Sequence, residues 1–271
     1  MTRKRSLPTR VFTMPALPPE AARTLQMLQH CNVEPSRLVR LVESDPGWAA
    51  GIVTEARSPL WSLRTEPGDV HEAVGLLGLR RFHQVVAVAA VGPLLRAAVP
   101  GYGLSAGELW NHSVAVAVAT REILLEKGLK PSEEAFSAGI LHDVGKLVLG
   151  SVLESDPALA AAAAGADSAV SAEAERRAAG IDHAEAGAAL LEHWKLPYWL
   201  VTAVRSHHDA ADPSFLITDL VQLADALVHD RIPPDSAARW SLPFRSLERV
   251  RDRSIARLDG VRTSVVAVEG R

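Results

Sequence analysis

The chain has 271 residues, 48% of them hydrophobic, enough to bury a substantial core as one large domain or two small ones. Its net charge of -3 excludes a global basic field toward nucleic acid or anionic membrane, and leaves basic character expected only at the two ends. The single cysteine, Cys31, excludes an internal disulfide and a thiolate zinc site. MTRKRSLPTR lacks the apolar core of a leader, and no apolar run is expected to reach the roughly 20 residues of a bilayer span, so the expectation is a soluble cytoplasmic protein with no membrane partner.

Aromatics make up only 5% of the chain, alanine and leucine abound, and alternating β-branched runs are few, so the predicted fold class is all-α. Residues 1–13 read as a basic, proline-containing flexible arm. Short helices follow at Pro19–Gln29, Pro35–Ser44, Pro46–Arg57, Val70–Leu76 and Leu79–Ala98, each opened by a proline, a turn signal or a capping residue. PGYG at 100–103 punctuates the chain, dividing a helical part over 14–100 from a second over 101–230.

The second part opens with Ser105 and Glu108 as a capping box, and Gly128 as the stop of a helix of about five turns. AFSAGILHDVGKLVLG, from Ala135 to Gly150, reads as a buried helix, and the alanine-rich run from Ala158 to Ala166 as a helix without chemistry. Asp182 caps a helix with Glu185 in the reciprocal position, Pro197 is the first residue of the next, and Asp212-Pro213 opens the last strongly amphipathic one. The tail over 231–271 is arginine-rich, with Leu247 to Leu258 alternating in charge like a solvated helix before RTSVVAVEGR.

Several ionisable residues fall on helix faces that should be buried. Leu109, His112, Val116, Ala119 and Ile123 share one stripe, which turns His112 inward. His142 and Lys146 lie four apart on one face with Asp143 offset by about 100°. Gly139 leaves room one turn earlier. His183 sits in the first turn of its helix, where the macrodipole favours a neutral imidazole. Leu200, Val204, His207 and His208 continue one stripe, and Asp225 lies between Ala224 and Ala226, where a buried carboxylate needs a cation or several donors. A lone histidine of this kind is more often a hydrogen-bonded core residue, and a lone lysine more often reaches to water. The set carries the argument: imidazoles and carboxylates without thiolate suit Fe, Mn, Zn, Ni or Co, and a carboxylate such as Asp143 can bridge two ions.

NHS, LHDVGK, DHAEAGAALLEHWKLP, HH and ADAL, in that order, resemble the HD superfamily of metal-dependent phosphohydrolases, most closely its HDOD branch. MPALPPEAARTL, LVESDPGWAAGIV, ARSPLW and VGLLGLRRF resemble the N-terminal half of an HDOD module, so the likeness spans Met14 to Asp230. It implies a two-part helical fold with an HD-type metal pocket in the second part. Carried over by motif, His112, His142, Asp143 and Asp225 would hold one ion, and His183, His207 and His208 a second bridged by Asp143. Lys146 would face a phosphate. The ligand set resembles that of HD-GYP phosphodiesterases, but HHDAADPSF replaces their Gly-Tyr-Pro loop, and Arg57-Ser58 stands where HDOD proteins commonly carry Asn-Ser.

Two functions are compatible with this resemblance. One is a regulatory module of bacterial signal transduction, acting by ligand sensing or contact with a signalling protein partner, to which the arginine-rich tail could dock. The other is a phosphohydrolase of a nucleotide or cyclic nucleotide, with Asp143 and Lys146 as catalytic groups and a divalent Fe, Mn or Zn site, mononuclear or dinuclear, activating a water. A nucleic-acid partner is disfavoured, since no helix-turn-helix or aromatic platform accompanies the basic ends. Trp110 and Trp194 are expected to pack the core rather than wall the pocket.

Overall fold

The computed structural model describes residues 15–28, 33–155, 158, 168–209, 216–231 and 238–269. The expected arm, Cys31, nearly all of the alanine-rich run and the Asp212-Pro213 start lie outside them. Among the described residues the architecture is all-α, with an isolated antiparallel bridge between Val99 and Leu104 and no strand.

Three short helices, α1 (Pro19–Leu28), α2 (Pro35–Glu43) and α3 (Pro46–Ala56), pack on the long α4 (Val70–Leu95). Pro35 and Pro46 each occupy the first turn, where a missing N–H costs nothing, and Asp45 accepts the Trp48 backbone N–H at 2.7 Å. The break expected between Leu76 and Leu79 is present as a kink in α4 at Gly78, whose φ of 71° is left-handed. Where Arg57-Ser58 departs from Asn-Ser, Ser58 caps a 3-10 turn at Pro59–Trp61 and Arg57 Nε donates to the Pro67 carbonyl at 2.9 Å. The arginine thereby fastens the loop that leads into α4.

A second group of helices comprises α5 (Glu108–Glu126), α6 (Glu133–Leu141), α7 (Gly145–Glu154), α8 (Ser168–Ala179), α9 (His183–His193), α10 (Tyr198–Arg205), α11 (Leu216–Val228) and α12 (Phe244–Glu269). α5 packs against α6, α11 and α12, while α9 packs against α7 and α10. One contiguous apolar core runs through both groups from Leu17 to Val250. Trp110 and Trp194 are core residues, as expected, Trp194 donating to the Pro15 carbonyl at 2.9 Å.

Several boundaries differ from the sequence expectations. α5 begins at Glu108, because Gly107 takes the N-cap position in left-handed conformation; Glu108 still accepts the Ser105 backbone N–H. Gly128 ends α5 as expected, with the Leu129 N–H returning to the Leu124 carbonyl at 2.8 Å. Pro197 is the N-cap of α10 and not its first residue. α12 extends from Phe244 to Glu269, well beyond 247–258, and its inner face is not solvated: Leu247, Val250 and Ser254 are buried, and Arg249 and Arg253 pair with Glu126 of α5. Two stretches also reach spanning length, Val70–Leu95 and Glu133–Glu154, but half or more of each apolar run is buried inside the fold. They reach that length because a core helix and a run of two core helices are as apolar as a membrane segment.

The largest departure is at the centre of the second part. The helix expected across Ala135 to Gly150 breaks at His142–Val144, where i→i+3 bonds from Val144 N–H to Leu141 O and from Lys146 N–H to Asp143 O replace the α pattern. Packing imposes the break. A Cβ on Gly145 would lie 1.9 Å from the His183 carbonyl oxygen, and one on Gly139 would lie 2.7 Å from Ala117 Cα. α6 is thus seated directly on the α5 backbone and α7 on the first turn of α9. Gly145→Ala is expected to cost about 1–3 kcal/mol by overpacking, read as a lower urea midpoint.

Candidate metal centre

Five elements deliver the ionisable side chains to one place. α5 presents His112 from a stripe whose other members, Leu109, Val116, Ala119 and Ile123, are buried. The break after α6 presents His142 and Asp143 together, which a continuous helix would have separated by about 100°. α9 contributes His183 as its first residue, the turn after α10 contributes His207 and His208, and α11 contributes Asp225.

The carboxylate of Asp143 lies between two sets of imidazoles. Its Oδ2 is 3.4 Å from His112 Nε2 and 3.5 Å from His142 Nε2, and these two nitrogens are 3.2 Å apart. Asp225 Oδ1 completes that group, 3.2 Å from His112 Nε2 and 3.8 Å from His142 Nε2. Asp143 Oδ1 faces the other way, 3.2 Å from His183 Nε2 and 3.9 Å from His207 Nε2. His208 Nε2 closes this second group at 2.6 Å from His183 Nε2. Lys146 Nζ donates to Asp143 Oδ2 at 2.5 Å.

A further layer orients the rings. His142 Nδ1 lies 2.8 Å from the Gly139 carbonyl and His207 Nδ1 2.6 Å from the Val204 carbonyl. A carbonyl only accepts, so both Nδ1 atoms carry the proton and both Nε2 lone pairs face the centre. Glu175 of α8 accepts from the His183 backbone N–H at 2.6 Å and binds His183 Nδ1 at 2.7 Å, and the Tyr102 hydroxyl donates to Glu175 at 2.9 Å.

Electrostatics divide the histidines. Burial pushes the His142 and His207 imidazoles down, His207 well below its ordinary value. Burial, then the facing His183, pushes His208 down to about 3. Burial works against the charged form of His183 too, but Glu175 and Asp143 outweigh it and hold this ring up to about 9. The macrodipole argument for a neutral His183 is therefore corrected: two carboxylates outweigh the helix end. Burial opposes ionisation of Asp143, but Lys146, His142 and His183 keep its carboxyl well below the usual range. Asp225 is held low against burial by its hydrogen bond with His112.

The donor set fits a divalent transition ion. Metal–ligand bonds of roughly 2.0–2.2 Å place neighbouring donors roughly 3 to 3.5 Å apart, the spacing found among His112, His142 and Asp143 and between His112 and Asp225, with His142 and Asp225 slightly wider at 3.8 Å. His207 Nε2 is buried and has no hydrogen-bond partner, a lone pair free to coordinate a cation. All seven residues expected as ligands converge, with Lys146 at their edge.

The sequence reasoning missed two residues. His229, just past the end of α11, places Nε2 3.5 Å from Asp225 Oδ1 and groups with His112 and Asp225 as a third set able to hold an ion. Its i+4 spacing from Asp225 was the available signal. Glu175 gave none, because AEAERRAAG reads as a solvated face.

An all-α protein with an internal histidine–aspartate centre is the class this geometry defines. A model of the HDOD domain family matches residues 14–210, and the chain belongs to that family. A curated protein of uncharacterised function from Treponema pallidum (strain Nichols) is 22% identical over 214 residues, 75% of this chain; the chain spans only 39% of that relative's length. Among solved structures, a protein from Shewanella amazonensis provisionally named a phosphohydrolase is 26% identical, with a TM-score of 0.66 over 95% of this chain and 91% of its own. An HDOD domain protein of unknown function from Geobacter sulfurreducens is similar in fold at 24% identity and a TM-score of 0.65, over 96% of this chain and 92% of its own. So is a protein from Marinobacter aquaeolei provisionally named for signal transduction, at 23% and 0.69, over 97% of this chain and 62% of its own.

A cation on His183 Nε2 must displace a proton, so affinity for divalent metal is expected to rise about tenfold per pH unit up to about pH 9. Calorimetric titration of apo-protein in two buffers of different ionisation enthalpy should show about one proton released at pH 7. Glu175→Gln should reduce that release, Asp143 still facing the ring, and weaken binding about 10- to 100-fold.

Proposed function

We propose that the chain is a regulatory HDOD module of bacterial, cytoplasmic signal transduction that retains an HD metal centre and acts through ligand sensing and contact with a signalling protein. His112, His142 and Asp225 would hold one divalent Fe, Mn or Zn ion, and His183, His207 and His208 a second, with Asp143 bridging. The observation that carries the reading is enclosure. The side chains of His142, His183 and His207 are 1% exposed and that of Asp143 3%, so these four of the seven donors are walled in by helices rather than laid open to a substrate. Such a centre fixes the mutual positions of α5, the α6–α7 break, α9 and α11, and its occupancy is a state that a partner can read.

A phosphohydrolase of a nucleotide or cyclic nucleotide is the second reading, favoured by the open edge of the same centre. There the side chains of His112 and Lys146 are each 17% exposed and that of His229 42%. A bound ion would supply Lewis acidity toward a phosphoryl oxygen. Lys146, held by Asp143, would present its ammonium to the same phosphate.

Elemental analysis of protein purified without chelator or tag-derived metal tests both. Near-stoichiometric Fe, Mn or Zn is expected, lost in the His142→Ala/Asp143→Ala variant with little change in far-UV circular dichroism. For the regulatory reading, metal-loaded protein should turn over phosphate esters and cyclic dinucleotides no faster than that variant. Turnover lost in Asp143→Ala and reduced about 100-fold in Lys146→Ala would establish the enzyme instead.

A further inference from the structure

A second concave site lies at the other end of α6, at the junction of α4, α5 and the 3-10 turn after α3. It is a cavity of about 410 Å³. Arg80 and Arg81 of α4, Arg121 of α5 and Lys130 of the loop before α6 line it, against a single carboxylate, Glu133, among the described lining residues. In a chain of net charge -3, four cations gathered on one cavity reverse the local field. They come from three separate segments, so tertiary structure gathers them. This also corrects the expectation that basic character is confined to the chain ends.

The cavity is preorganised. The Arg81 guanidinium donates to the Trp61 carbonyl, and Gln84 Nε2 donates to the Glu133 carbonyl at 3.0 Å, which ties α4 to the start of α6. Trp61 and Phe136, with ring centroids 5.6 Å apart, form an apolar wall. Arg81 and Arg121 are half-buried, where lower local dielectric strengthens charge-assisted hydrogen bonds, and Arg80 and Lys130 stand exposed at the rim. Guanidinium forks beside an apolar wall suit a phosphate carrying a small organic group, and the volume falls in the range of small-ligand sites, roughly 300–1,000 Å³.

We infer that this cavity binds a small phosphate-bearing anion, at a site separate from the histidine–aspartate centre. Along α6 the cavity's lining residues Glu133 and Phe136 precede His142 by nine and six residues, roughly 13.5 and 9 Å at 1.5 Å each.

The test is calorimetric titration of the chelator-stripped full chain with inorganic pyrophosphate. Saturable one-to-one binding is expected, weakened about tenfold or more in Arg80→Glu/Lys130→Glu, whose altered residues are exposed and leave the core intact. The charge-preserving Arg80→Lys/Lys130→Arg exchange should keep binding within a few-fold, and His142→Ala/Asp143→Ala should leave it unchanged. Absence of saturable binding, survival of binding in the charge-reversed variant, or its loss in the histidine–aspartate variant would each overturn the inference.

Discussion

The shared carboxylate of Asp143 is the constraint around which the second half of the molecule is arranged. A carboxylate whose side chain is 3% exposed is stable only if positive charge or donors surround it, and here both oxygens are engaged on opposite sides. Lys146 and His183 supply that charge directly, while His112, His142 and His207 turn ring nitrogens toward it. The surrounding helices meet this need. α5, α9 and α11 each run a polar residue into an otherwise apolar interface, and the helix between Glu133 and Glu154 breaks where two consecutive side chains must reach one centre. The glycines at 139 and 145 permit the backbone approach that makes the break possible.

Much of the fold was legible because helix ends carry local chemistry. Asp182 at an N-cap, Pro35 and Pro46 in first turns and Gly128 at a stop act through bonds within a few residues, and each sits where the pattern placed it. The break at His142–Val144 was not legible. Nothing in AFSAGILHDVGKLVLG disfavours helix strongly, and its cause is a contact with His183, far along the chain. The extension of α12 was obscured for a related reason: arginines that pair with Glu126 look the same in sequence as arginines that face water.

The site shows the same division. Residues on apolar stripes, His112, His142, His183 and Asp225, announce themselves because an ionisable group there is costly unless partnered. Glu175 lies among charged residues on α8, so its burial against Tyr102 and His183 is visible only in three dimensions. His229 sits beyond the apolar stripe of α11 and is partly exposed, so burial reasoning passes over it although it stands one turn from Asp225. The cationic cavity escaped notice because Arg80, Arg121 and Lys130 are unremarkable singly, and net charge averages over the whole surface.

The donors around Asp143 are drawn from positions 112 to 229, with the carboxylate in the first third of that span. Synthesis proceeds from the N-terminus, so a nascent chain displays His112, His142 and Asp143 long before α11 exists to bring Asp225 beside them. The first group of donors therefore stays incomplete until the ribosome has released almost all of the domain. Coordination by the full set can only follow folding, and the free energy of any ion captured there accrues to the finished tertiary structure rather than to an early intermediate.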